Sequence, residues 1–337
     1  MNAIRKTFLG ILAVAATLLT ALPATAEVKV RLGTLAPKGS SYYKHLQMMG
    51  QTWRESGVSL TIYSDGAMGT ELEMVRRMRI GQIQSAMLTA VGLTEIEPAV
   101  SGMQNLPMMF RSLEEVDYVG EKLQPMMEQR LAAKGFVVLF WADTGWVRFF
   151  SKNPVRTPDH LRQEKLFTWA GSSDAATLYK SAGFNPVSME STDLVVGLRS
   201  GLVTAAPVPP FIALAGQMYD PAPNMLLLNW GPLVGATLVL KKTWDQIPPA
   251  SQEAMRQAAR TAGVKMKADG RKESDDSVIA MQQRGLKVNT VTPEMEAEWR
   301  KAAEAAYPKI RGGMVPTDIF DEVVRLLAEY RAKPKAP

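Results

Sequence analysis

From Glu27 onward the chain alternates short strand-forming runs with helical patterns, and no other feature narrows its fold so far. A strand is expected over 28–32. A helix follows, capped by Ser40 or Ser41 and carrying Tyr43, Leu46, Met49 and Trp53 along one face, and then a strand over 59–63. The turn from Asp65 to Gly69 opens a helix over 71–80, Gly81 ends it, and 83–88 makes a third strand. This β-α-β-α-β run implies an α/β fold with mostly parallel strands. The alternation resumes with a helix over 113–133, strands over 136–141 and 166–169, and a helix over 173–182. Pro248 and Pro249 then open a polar helix over 250–285, interrupted only by Gly263 and Gly270 and long enough to brace two lobes.

With 337 residues, 46% of them apolar, the chain can bury a large core as one extended α/β unit or as two domains of roughly 150 residues. It has no cysteine, which removes disulfides, iron-sulfur clusters and thiol nucleophiles; only His45 and His160 could supply imidazole. Residues 1–26 read as an export signal: Arg5 and Lys6, an apolar stretch over 8–22, and Ala24-Thr25-Ala26 at the cleavage position. That stretch is shorter than the ~20 residues needed to cross hydrocarbon, so cleavage after Ala26 is expected rather than anchoring. The formal net charge is +6, two units of it in the signal, and the basic residues are scattered, so no nucleic-acid partner is expected. The residues from Arg331 onward read as a frayed tail.

Catalytic and metal chemistry find little support. Gly66-Ala67-Met68-Gly69 could cradle an anion but lacks the Lys-Ser/Thr ending of a phosphate loop and the third glycine of a dinucleotide fingerprint. His45 and His160 lie far apart with no ligand spacing around them, and no serine sits in a nucleophile elbow. Asp275, Asp276, Glu294 and Glu298 fall in polar helical stretches and read as solvated surface. No cofactor, metal site or catalytic residue is therefore assigned. What a core alone does not demand is an aromatic and proline set, expected at strand ends and loops: Trp141, Trp146, Phe149, Phe150, Phe167 and Trp169, then Pro207 to Phe211 and Trp230. In open α/β sheets ligands sit beyond the carboxyl ends of strands, where such residues can line a cleft; packing under loops is the competing explanation.

Several stretches together resemble the solute-binding proteins of tripartite ATP-independent periplasmic (TRAP) transporters, the DctP type. They are Arg31-Leu-Gly-Thr-Leu-Ala-Pro37, Tyr63-Ser-Asp-Gly-Ala-Met-Gly69 before Glu71, Gly81-Gln-Ile-Gln-Ser-Ala86, Leu106-Pro-Met-Met-Phe110, Lys165-Leu166, and Trp244 with Ile247-Pro248. The similarity spans 28–310. It implies a two-lobed α/β fold with crossing strands and a bracing helix. Lobe I would comprise 27–145 with 234–272, lobe II 146–233 with 273–310, and a C-terminal helix and tail 311–337. It further implies a periplasmic, non-enzymatic protein that closes on a small molecule and delivers it to a membrane permease of TRAP type.

In that family an Arg directly after the Lys-Leu of a lobe II strand pairs with the ligand carboxylate, a task suited to the forked guanidinium. Here that position is Phe167, and the family's polar Val-Asp-Gly stretch aligns with Val203-Thr-Ala-Ala-Pro-Val-Pro209. A buried carboxylate without a charged partner costs several kcal/mol. The exchange therefore predicts a hydrophobic or amphipathic ligand walled by Phe167, Trp169, Val208, Pro209 and Trp230, with Arg148 or Thr89 fixing one polar end. Phe149, Trp146, Ala90, Ser40 and Met68 complete the candidate lining. Such cargo also admits a periplasmic lipid-handling partner in place of the permease. The competing functions are a conventional organic-acid binder using Arg148, a non-transport scaffold or sensor, and an enzyme on this fold.

Overall fold

The computed structural model describes residues 27–170 and 173–333; the expected export signal over 1–26 and the last four residues of the tail lie outside the described residues. The chain begins β1 (Val28–Thr34), α1 (Ser41–Glu55), β2 (Val58–Tyr63), α2 (Glu71–Arg79), β3 (Ser85–Thr89) and α3 (Ala90–Thr94). A 3-10 turn, Pro98–Met103, leads to α4 (Leu113–Ala133), β4 (Phe136–Ser151), α5 (Pro158–Arg162), β5 (Lys165–Trp169), α6 (Ser173–Ser181) and β6 (Asn185–Met189). The remainder is α7 (Leu194–Ser200), β7 (Ala205–Val208), α8 (Pro210–Ala215), β8 (Asn224–Leu240), α9 (Lys241–Trp244), α10 (Pro249–Gln282), β9 (Lys287–Asn289), α11 (Pro293–Ile310) and α12 (Thr317–Ala332).

The nine strands form one sheet in the order β2-β1-β3-β8-β4-β7-β5-β6, with β9 on β8. Parallel strands occupy its two ends: β2, β1 and β3, as the alternation implies, at one, and β7, β5 and β6 at the other, where of the three only β5 was expected from the sequence. Between them β4 and β8, of 16 and 17 residues, run antiparallel along each other through both ends. This produces the two-lobed form with crossing strands. Apolar clusters cover both faces of each end, so both lobes have cores of their own.

The sequence placed the end of β4 at Trp141, but the strand continues to Ser151. Trp146 therefore sits inside a strand, Phe149 and Phe150 come just before its true end, and Trp230 lies inside β8. Phe149 and Phe150 are fully buried, so they serve the lobe II cores. Arg331 is likewise no frayed tail. It ends α12 with Nε 2.7 Å from Glu115 Oε1 and Nη2 2.8 Å from the Met109 carbonyl, tying that helix to lobe I.

The ladder is irregular where β4 passes from one lobe to the other. The β4–β8 register slips between Asp143 and Trp146, and Gly145 takes φ +74, where a side chain would be strained. The middle of α10 clasps this bulge. Arg271 Nε and Nη2 each lie 2.8 Å from the Asp143 carboxylate, and Nη1 and Nη2 reach Asp117 at 3.0 and 2.6 Å. The Lys267 ammonium joins Asp117 at 2.9 Å, and Ser274 donates to the Thr144 carbonyl at 3.0 Å.

The two glycines within α10 are explained by contact. A Cβ on Gly270 would fall 2.0 Å from the Tyr42 hydroxyl, and one on Gly263 2.7 Å from Phe140 Cβ. Gly270→Ala should gain about 1 kcal/mol of helix propensity yet lose more, because Tyr42 also donates to the Asp143 carbonyl at 2.8 Å and cannot swing away freely. Thermal denaturation should show a lower midpoint; a higher one would mean that propensity outweighs the clash.

Candidate functional site

The carboxyl ends of the parallel strands in the two lobes face a cavity of about 130 Å³. Lobe II supplies Phe167, Thr168 and Trp169 from β5, Leu178 and Tyr179 from α6, and Pro207 from β7. Lobe I supplies Val91 and Thr94 from α3 and the segment 104–107 after the 3-10 turn, while Trp230 to Pro232 of β8 and alanines of α11 close the remaining sides. In volume this is close to the ~150 Å³ of an apolar protein cavity that admits benzene.

Its walls are held from behind. Phe167 is fully buried with its ring edge-on to Trp169 at 4.9 Å, against a core that includes Phe150, Val208 and Met225. Trp230 meets Phe149 edge-on at 5.2 Å and Trp299 of α11 at 5.9 Å. The Trp299 indole donates to the Arg156 carbonyl at 2.8 Å, which fixes α11 on lobe II. Burial pushes the Tyr179 hydroxyl up to about 12, with the adjacent Trp230 acting in the opposite sense, so Tyr179 is neutral at physiological pH.

Three residues expected from the sequence, Phe167, Trp169 and Trp230, meet at this cavity; the other candidates sit elsewhere. Val208 and Pro209 are buried, and Pro207 reaches the cavity instead. Phe149 stacks behind Trp230 against Trp299, and Trp146 and Met68 pack on the lobe I core. Thr89 caps α3 and donates to the buried Glu71 carboxylate at 2.8 Å, Ala90 is buried, and the α3 residues that line are Val91 and Thr94. Ser40 caps α1 at the edge of a separate, open groove of about 680 Å³ between α1, α8 and α10. The charged groups there largely satisfy one another: His45 meets Asp269 at 2.7 Å and Ser41 donates to Glu273 at 2.5 Å.

Arg148 is not part of the lining. Its guanidinium donates to the Asn229 side chain, and burial pulls its pKa down to about 10, with Asp275 partly offsetting that. Among the described residues, no Lys, Arg or His lines the cavity. The polar groups at its walls are neutral, and Gln104 and Asn105 among them were not singled out by sequence. The 106–110 stretch was recognised only as a family loop, and nothing in its composition distinguished the two amides just before it.

The family model for bacterial extracellular solute-binding proteins, family 7 (DctP), matches residues 32–312. An uncharacterized protein of Haemophilus influenzae is 27% identical over 280 residues, covering 81% of this chain and 84% of that relative. A solute-binding protein of Sulfitobacter sp. (strain NAS-14.1) is 23% identical over 257 residues, covering 74% and 77%. Among solved structures, a TRAP periplasmic solute-binding protein of Xanthobacter autotrophicus Py2 with bound β-D-galacturonate superposes with a TM-score of 0.81 at 21% identity, covering 89% of this chain and 99% of that one. The sugar acid binding protein of Advenella mimigardefordensis with galactonate gives a TM-score of 0.83 at 17% identity, covering 89% and 98%. Both share the two-lobed fold built here on β4, β8 and α10. The chain belongs to the DctP family, family 7 of the bacterial extracellular solute-binding proteins.

Proposed function

We propose that this chain is the periplasmic binding component of a TRAP-type importer and that its solute is uncharged and largely apolar. The observation that carries the proposal is the cavity wall: aromatic and aliphatic side chains with a few neutral polar groups, and no basic group among the described residues. A carboxylate enclosed there would lose its hydration, at several kcal/mol, against neutral hydrogen bonds of about 0.5–1.5 kcal/mol each. An apolar ring gains about 25 cal/mol per Å² removed from water.

Solved relatives hold acids, including β-D-galacturonate and succinate, which favours a second reading in which an organic acid recruits Arg148. The Asn229 contact of Arg148 and its absence from the wall weigh against it. Among the described residues no helix is long and apolar enough to cross a membrane, consistent with an exported chain released after Ala26 that hands its cargo to a separate permease. Native mass spectrometry of the protein purified from its periplasm, followed by solvent extraction, should recover a neutral hydrophobic molecule. Recovery of sugar acids or dicarboxylates alone would reject the reading.

A further inference from the structure

The cavity is not uniformly greasy: beside the hydroxyl residues Thr94, Thr168 and Tyr179, two amides line it from one short segment. Gln104 and Asn105 follow the 3-10 turn, with the backbone N–H of Asn105 donating to the Ser101 carbonyl at 2.8 Å. Just beyond, Met108 donates to the Trp230 carbonyl at 2.7 Å, and the Tyr307 hydroxyl of α11 donates to the Pro107 carbonyl at 2.8 Å. Arg300 Nη1 reaches the Met108 carbonyl at 3.2 Å. Met108 itself takes φ +54, a costly conformation for a residue with a side chain, so surrounding contacts hold the segment in place. On the β8 side, a Cβ on Gly231 would lie 3.2 Å from the Gln104 carbonyl, so strand and segment are in close contact.

The two amides differ in how they are used. Gln104 Oε1 accepts from the Val234 backbone N–H at 3.1 Å, which fixes that side chain. Asn105 lines the cavity, and its side-chain amide meets no partner among the described residues. A partly buried amide on an immobilised segment, in a wall that is mostly apolar, is suited to one neutral hydrogen-bonding group on the occupant.

Resting on the reading of the cavity as a site for uncharged solutes, we infer that Asn105 is its specificity-determining polar anchor and that the ligand class is a compact apolar body bearing a single carbonyl or hydroxyl. The amide N–H groups donate to a carbonyl oxygen, and the amide oxygen accepts from a hydroxyl. A carboxylate would need a cation that the wall lacks.

Three one-ring probes separate the possibilities by calorimetry or ligand-observed NMR. Acetophenone and α-methylstyrene have nearly the same shape, with a C=O replaced by C=CH2, and benzoate adds the charge. Acetophenone should bind about tenfold more tightly than α-methylstyrene, with benzoate weakest. Asn105→Leu, and Asn105→Ala if the larger side chain perturbs folding, should erase the difference between the two neutral rings while α-methylstyrene keeps its affinity. Equal binding of the neutral rings, unaltered by either variant, overturns the anchor and leaves the apolar site standing. Failure of both neutral rings, or tighter binding of benzoate, overturns the apolar site itself.

Discussion

Arg271→Ala lowers stability by about 3 kcal/mol, read as a fall in the urea midpoint of the purified protein. The reason is what the substitution leaves behind. Asp143 is only 5% exposed and would be left without its bidentate partner, at the bulge where β4 passes from one lobe to the other. Burial works against ionisation of Asp117, but hydrogen bonds from Arg271 and Lys267 outweigh it and hold that carboxyl below its ordinary range. Because the folded pKa is depressed, this contribution is complete above the ordinary carboxylate value of about 3.9 and is lost as pH falls through the folded value. The wild type should therefore weaken through this pair below about pH 4, and the variant should have less of that dependence to lose. As a control, Arg325→Ala removes an exposed pairing with Glu322 and Glu329 and should leave the midpoint nearly unchanged. Equal midpoints for Arg271→Ala and the control would show that α10 does not hold the bulge through this guanidinium.

Phe167→Arg should be as damaging, and it tests the exchange on which the ligand reading turns. The arginine that the family resemblance implies at this position would be matched by an acid in the cleft, but Phe167 is fully buried between the lobe II core and the cavity. A guanidinium placed there has no carboxylate among the residues lining the cavity, so a loss of several kcal/mol is expected. Phe167→Leu keeps the position apolar and should cost about 1 kcal/mol, by leaving Trp169 without its edge-on partner. Melting curves of the two variants with and without galacturonate decide the matter. An arginine variant that melts like the wild type would show that the ring is dispensable to the core. One rescued by the sugar acid would show that a single residue stands between this cavity and the acid-binding relatives.

The first parallel end of the sheet, β1 to β3, was legible because local signals agree with one another, whereas at the other end only β5 was read and β6 and β7 were missed. Thr70 and Glu73 form a reciprocal cap on α2, and Gly81, with φ +76, follows the end of that helix as expected. The long strands were not legible. Trp146 to Ser151 alternates poorly, because bulges at Asp143 and Val147 change which face each residue takes, and a period-2 pattern cannot survive such slips. For the site, aromatic type alone could not separate Phe167, Trp169 and Trp230 from Phe149 and Phe150. All five suit an α/β interior, and it takes the packing of Trp299 of α11 against Phe149 and Trp230 to set the first behind the second. Asn105 was invisible for the converse reason: an asparagine after a turn is an ordinary turn residue until its surroundings are known.

The crossing strands also govern the order in which this molecule can be completed. Ser85 of β3 hydrogen-bonds Leu238 of β8, 153 residues further along, so the first lobe's sheet keeps an open edge until most of the chain exists. Contacts so distant in sequence close slowly, since the loop entropy is spent before the pairing returns it. Neither half is a contiguous gene segment, and neither should survive excision as a fragment. During synthesis such a polypeptide stays loose and threadable, as passage through a translocation pore requires.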